Sequence, residues 1–149
     1  MGLEIGDPPN VAGWAAYYQA PQFDKSWITT DTITKRAQIN DSFLYWGLWG
    51  DPINRADLIS FVKQVSNPAD PNILLTELAQ LLLGIGISDE VLASLKSILL
   101  SGQQDDIYWT TAWIDHTYNP GNEVNKAIVL TRLQQMFQRL FQLGEFTLM

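Results

Sequence analysis

The stretch Asn122–Leu143, NEVNKAIVLTRLQQMFQRLFQL, decides the fold. Val129, Leu133, Met136, Phe137 and Leu140 recur in it at steps of three and four, which places them on one stripe of an α-helix. Asn122 offers a side-chain oxygen to the free N–H groups of the first turn, and the helix is expected to end before Gly144, with Phe146 and Leu148 free to fold back. A stripe of this length needs other helices to bury it, because helical stability in proteins comes mostly from packing an apolar face.

The chain upstream offers those partners. Asp105 and Asp106 begin a helix bearing Ile107, Trp109, Trp113 and Ile114, which Asn119-Pro120-Gly121 breaks. Ser88 with Asp89 and Glu90 starts another, carrying Val91, Leu92, Leu95, Ile98 and Leu99 to a stop at Gly102. Ala69-Asp70-Pro71-Asn72 opens a helix through Leu74, Leu75, Leu78, Leu81 and Leu82; these wrap more than one face, so it is expected to be the most buried. Gly84-Ile85-Gly86 closes that helix and does not precede one, so it reads as a stop and not as a phosphate-cradling loop. Asn54 is the expected cap of a helix with Leu58, Phe61, Val62 and Val65, stopped at Asn67-Pro68. The first helix starts near Thr30 or Asp31, carries Ile33, Ala37, Asn40 and Leu44, and ends at Gly47 and Gly50. The expectation is an all-α fold: one domain over residues 1–149, with an irregular, aromatic-rich N-terminal arm over 1–29 and a bundle of about six helices over 30–149.

Composition narrows the function classes. At 46% hydrophobic and 17% charged residues, the chain has enough apolar surface to fold. A net charge of −7 with nine basic residues leaves no footprint for phosphate backbones or anionic lipid, so no nucleic-acid partner is expected. No apolar run is long enough to cross a bilayer, so membrane insertion is not expected either. The absence of cysteine excludes disulfides, thiolate catalysis and cysteine metal sites. The first six residues lack the basic start and apolar core of a signal peptide.

The arm is the least ordinary part. Pro8-Pro9-Asn10-Val11-Ala12-Gly13-Trp14 couples a stiff, donor-poor lead-in to a permissive glycine and a large indole. Tyr17, Tyr18, Phe23 and Trp27 follow, and Trp46 and Trp49 occupy the next turn. Asn10, Trp14, Tyr17, Tyr18 and Trp27 are the candidate ligand or partner-binding residues, since aromatic faces beside amides such as Gln19 and Gln22 can stack on sugars or accept another protein's side chains. The competing reading is that these rings pack as core.

The run from Pro8 to Trp14, then Tyr17-Tyr18-Gln19, then Trp27-Ile28 with Thr32 and Arg36, resembles the C-terminal portion of the bacterial family known as Domain of Unknown Function 1800, in the form found in Bacteroidetes. The tail from Leu130 to Glu145-Phe146 is similar to that family's closing helices, and Thr29 stands where the family usually has asparagine. The resemblance spans essentially the whole chain and implies a C-terminal piece of a longer, exported protein located in the periplasm or at the cell surface. It implies no activity, because the motif marks a family and not a reaction.

Catalytic chemistry is sparse. His116, the single histidine, stands beside Asp115 with Asp105 and Asp106 upstream; this could be drawn as a base with an orienting carboxylate, but no nucleophile context accompanies it, and a histidine near a helix C-terminus is stabilised by the dipole. Asp89-Glu90 and Asp105-Asp106 read as helix-start acids. Asp51-Pro52-Ile53-Asn54 and Asp70-Pro71-Asn72 offer too few oxygens for a calcium loop, so no metal or cofactor is expected. Two readings follow. One is a non-catalytic helical module that contacts the missing part of its own protein or a secreted partner through the arm. The other is a carbohydrate-binding or carbohydrate-processing role with Trp and Tyr platforms, and with Asp24 or Asp31 as carboxylate.

Overall fold

A computed structural model describes residues 29–147. The described residues form an all-α bundle without strands. In chain order the elements are α1 (Thr30–Asp41), a π-helical turn (Ser42–Trp46), two 3-10 turns (Leu48–Gly50 and Pro52–Asn54), α2 (Leu58–Val62), α3 (Pro71–Leu83), α4 (Asp89–Leu99), α5 (Ile107–Tyr118), α6 (Glu123–Phe141) and α7 (Gly144–Thr147).

Side-chain caps set most starts. Thr29 and Thr32 form a reciprocal box: the Thr32 N–H donates to Thr29 Oγ1 at 3.2 Å and the Thr29 N–H donates to Thr32 Oγ1 at 2.8 Å. Asp70 accepts from the Asn72 and Ile73 N–H groups, with Pro71 in the first helical position, where its missing donor costs nothing. Ser88 caps α4 and Asn122 caps α6 as expected, the latter accepting from Val124 and Asn125. Gly102, at φ 78°, ends α4 with its N–H on the Ser97 carbonyl, a bond that satisfies an orphan acceptor of the last turn.

Helix α6 is the centre, packed against α1, the π-helical turn, α2, α4, α5 and α7. Val129, Leu133, Met136, Phe137 and Leu140 are all buried, and they share one core with Leu44, Leu58, Val62, Leu74, Leu78, Leu95, Leu99 and Trp109. Phe137 meets Phe61 and Phe141 at ring distances of 6.0 and 5.9 Å, and Phe141 meets Phe146 at 4.6 Å. Phe146 thus folds back onto the bundle, whereas Leu148 lies outside the described residues. Polar joints fix the periphery. The Trp109 indole N–H donates to the Pro68 carbonyl and the Thr110 hydroxyl to the Ala69 carbonyl, both at 2.8 Å, which ties α5 to the loop before α3. Lys96 on α4 bridges Asp106 and the Asn72 side-chain oxygen, joining three helix ends.

Three expectations are corrected. Asn54 does not cap α2; it closes the 3-10 turn begun by Pro52, Arg55 is extended, and Asp57 takes the cap by accepting from the Ser60 N–H at 3.1 Å. Leu81 is 66% exposed, because α3 has neighbours on one broad side only and the stripe through Leu74, Leu75, Leu78 and Ala79 fills it. Ile33 is exposed, and α1 buries no residue fully; the apolar anchor at that end is Leu44, in the π-helical turn.

Phe137→Ala should therefore cost about 3–5 kcal/mol in chemical denaturation, by transfer plus cavity. Leu81→Ala should stay within about 0.5 kcal/mol of the parent.

Candidate functional site

The site begins where α1 runs out of regular helix. Past Asp41 the chain widens into a π-helical turn, in which the Gly47 N–H donates to the Ser42 carbonyl at 2.6 Å. Gly47 has φ 89°, and a Cβ there would stand 1.8 Å from the Asp51 carbonyl oxygen, so only glycine fits this bend. Glutamines of α6 hold the turn. The Gln134 amide donates to the Leu44 carbonyl at 2.8 Å, in the core, and the Gln138 amide donates to Asp41 at 2.8 Å. The Tyr45 hydroxyl donates to Gln138 at 3.1 Å; burial, with the Asp41 charge second, pushes the Tyr45 phenol above its ordinary range.

With Leu44 and Tyr45 drawn inward, Trp46 and Trp49 face outward at 64% and 91% exposure. Ile39, Phe43 and Trp46 recur at steps of four and three and are all exposed, so the apolar surface continues back along α1. Trp49 lies in the left-handed region at φ 57° and ψ 22°, a conformation that costs a bulky residue roughly 1–3 kcal/mol. A strained, almost fully exposed indole contributes nothing to the core.

Asn10, Trp14, Tyr17, Tyr18 and Trp27 lie outside the described residues, as do Phe23 and Asp24. Of the aromatic set, Trp46 ends the π-helical turn and Trp49 lies in the 3-10 turn that follows it. Asp31 is taken up by Lys35 at 2.8 Å in an exposed i,i+4 pair. Gln134 and Gln138, which hold the turn, were missed by the sequence reading. Their signal is a pair of amides four apart, on the helix whose other stripe residues are apolar.

His116 is buried, with its ring edge toward Trp113 at 6.3 Å and Nδ1 without a hydrogen-bond partner. Burial, and then the charges of Lys63 and Lys126, hold its pKa below the ordinary histidine value. No hydrogen bond ties its Nδ1 to Asp115, and the ring packs in the core beside Trp113. Asp105 accepts from the Ile107 N–H, as a helix-start acid does. Asp106 occupies the cap position of α5 but makes no cap bond; its carboxylate turns to Lys96 and Asn72, which hold it below the usual carboxylate range. Among the described residues, no three His, Cys, Asp or Glu side chains group to hold a metal ion, and no helix is long and apolar enough to cross a membrane. Comparison with family models, with curated proteins and with solved structures returned no match.

Two outcomes follow from this geometry. Trp49→Gly should leave stability unchanged or raise it by up to about 1 kcal/mol, since it relieves a left-handed tryptophan and uncovers nothing; a clear drop in melting temperature would make the indole structural. His116 has a lowered folded pKa, so the unfolded chain binds the extra proton, and the stability it contributes is full above about pH 6.5 and lost as the pH falls below that value. The decline in melting temperature from about pH 7.5 to about pH 5.5 should flatten in His116→Gln.

Proposed function

We infer that this chain is a non-catalytic helical module that contacts the remainder of a longer protein, or a secreted partner, through the proline–tryptophan arm and the aromatic turn. The observation that carries this is the paired display of Trp46 and Trp49, with Trp49 held in a strained conformation at 91% exposure. Indoles that a fold leaves out of its core are the side chains most often found at the centres of protein contacts. The capping box at Thr29 and Thr32 fixes where the arm joins α1, and the 12 residues of α1 put the aromatic turn about 18 Å further on. The resemblance of the arm to the Domain of Unknown Function 1800 family extends the proposal: the module belongs to the C-terminal part of an exported bacterial protein and works in the periplasm or at the cell surface.

The exposed indoles also favour one second reading, a platform for sugar rings in a carbohydrate-binding or carbohydrate-processing protein. One experiment separates the two. The chain is tested for association with the N-terminal remainder of its protein, supplied as a separate chain, and in parallel on a glycan array. The module reading predicts association that weakens at least about thirtyfold in Trp14→Ala and in Trp46→Ala/Trp49→Gly, as expected for central aromatic contacts. Glycan retention that depends on the same indoles, without protein association, would overturn it.

A further inference from the structure

A groove lies between α5 and α6. Its volume is about 420 Å³, and it is lined by Ile107, Tyr108, Thr111, Ala112, Asp115, Asn125, Ile128 and Arg132. On the wheel of α6, Arg132 stands about 200° from Gln134, so the groove opens on the side of that helix away from the aromatic turn. Ile107, Tyr108 and Ile128 are exposed here.

The polar groups sit at the two ends. At one end the Arg132 guanidinium spends a single bond on the Tyr108 carbonyl, at 2.8 Å, and has no carboxylate partner among the described residues. Partial burial pulls its pKa down from the ordinary arginine value. At the other end the Asn125 amide donates to the Asp115 carbonyl at 3.4 Å, and Asp115, an exposed residue of the groove lining, has no ion-pair partner among the described residues. The two cross-helix bonds, Arg132 to Tyr108 and Asn125 to Asp115, lie seven residues apart on both helices, which is about 10 Å. Thr111, Ala112 and Ile128 line the interval.

We propose that this groove binds a short apolar peptide in extended form, its terminal carboxylate on Arg132 and its amino end at Asp115. Three extended residues span about 10 Å, which matches the spacing of the two cross-helix bonds along the groove. A fatty acid would satisfy Arg132 and leave the Asp115 carboxylate facing its tail. The guanidinium fork suits a carboxylate in two-point contact, and the apolar floor takes aliphatic side chains.

The test is titration of the full chain with trileucine, trileucine amide and N-acetyl-trileucine, followed by amide chemical shifts. Trileucine should shift Thr111, Asn125 and Ile128 saturably, and each blocked peptide should bind at least tenfold more weakly. Arg132→Gln should abolish the preference for the free carboxylate, and Asp115→Asn the preference for the free amine. Because Arg132 also bonds the Tyr108 carbonyl, Thr111→Phe gives an independent check: it fills the groove from an exposed position and should abolish binding while the remaining spectrum is retained. Equal affinity for the three peptides, loss of only one of the two end preferences, or no saturable shift at those amides overturns the proposal.

Discussion

Inside the core, the Gln134 side-chain amide donates to the Leu44 carbonyl, and the aromatic turn depends on that bond. A helix that ends leaves carbonyls without donors, and the π-helical turn ends at Gly47 with its own N–H already committed to Ser42. The Leu44 carbonyl is then a buried acceptor whose loss of partner would cost about 1–3 kcal/mol. An amide from α6 supplies the partner. Because Leu44 is itself fully buried in the shared core, its side chain and its carbonyl are held by the same helix, and the neighbouring Trp46 is directed outward.

Helix α6 can serve in this way because it is packed on several sides at once. Its apolar stripe joins the core built by α2, α3, α4 and α5, while Gln134 and Gln138 address the end of α1. The outer joints are polar and local: the Trp109 and Thr110 bonds to Pro68 and Ala69, the Lys96–Asp106–Asn72 cluster, and Ser66 on Glu77. Lys96 and Asp106 are both partly solvated, so their pair sets the geometry of three helix ends more than it adds to stability. Both candidate surfaces are read from opposite sides of α6. One presents indoles, and the other presents a groove lined by Ile107, Tyr108 and Ile128 together with Arg132 and Asp115.

Helix positions were legible because each has a local cause. Asn122, Ser88 and Asp70 cap where a side-chain oxygen precedes an apolar period, and the α6 stripe is written at three- and four-residue steps. The start of α2 was not legible, since Asn54 and Asp57 are both competent caps and only the 3-10 turn after Pro52 decides between them. Exposure was less legible still. Leu78 and Leu81 are alike in sequence and opposite in burial, and Trp109 and Trp49 are the same residue at the two extremes. Burial is a property of what packs opposite, which one helix's pattern does not contain. The Arg132 groove escaped for the same reason: its two charges lie on different helices, and neither forms a motif with its sequence neighbours.

Hydrogen exchange at the aromatic turn tests the central claim, that α6 holds this turn as a preformed surface. The Gly47 amide, bonded to Ser42, and the Ala56 amide, bonded to Phe43, should be protected in the parent chain. In Gln134→Ala both should exchange much faster while the amides of α3 to α6 remain protected. Rapid exchange at Gly47 in the parent chain, or protection unchanged in the variant, would contradict the account.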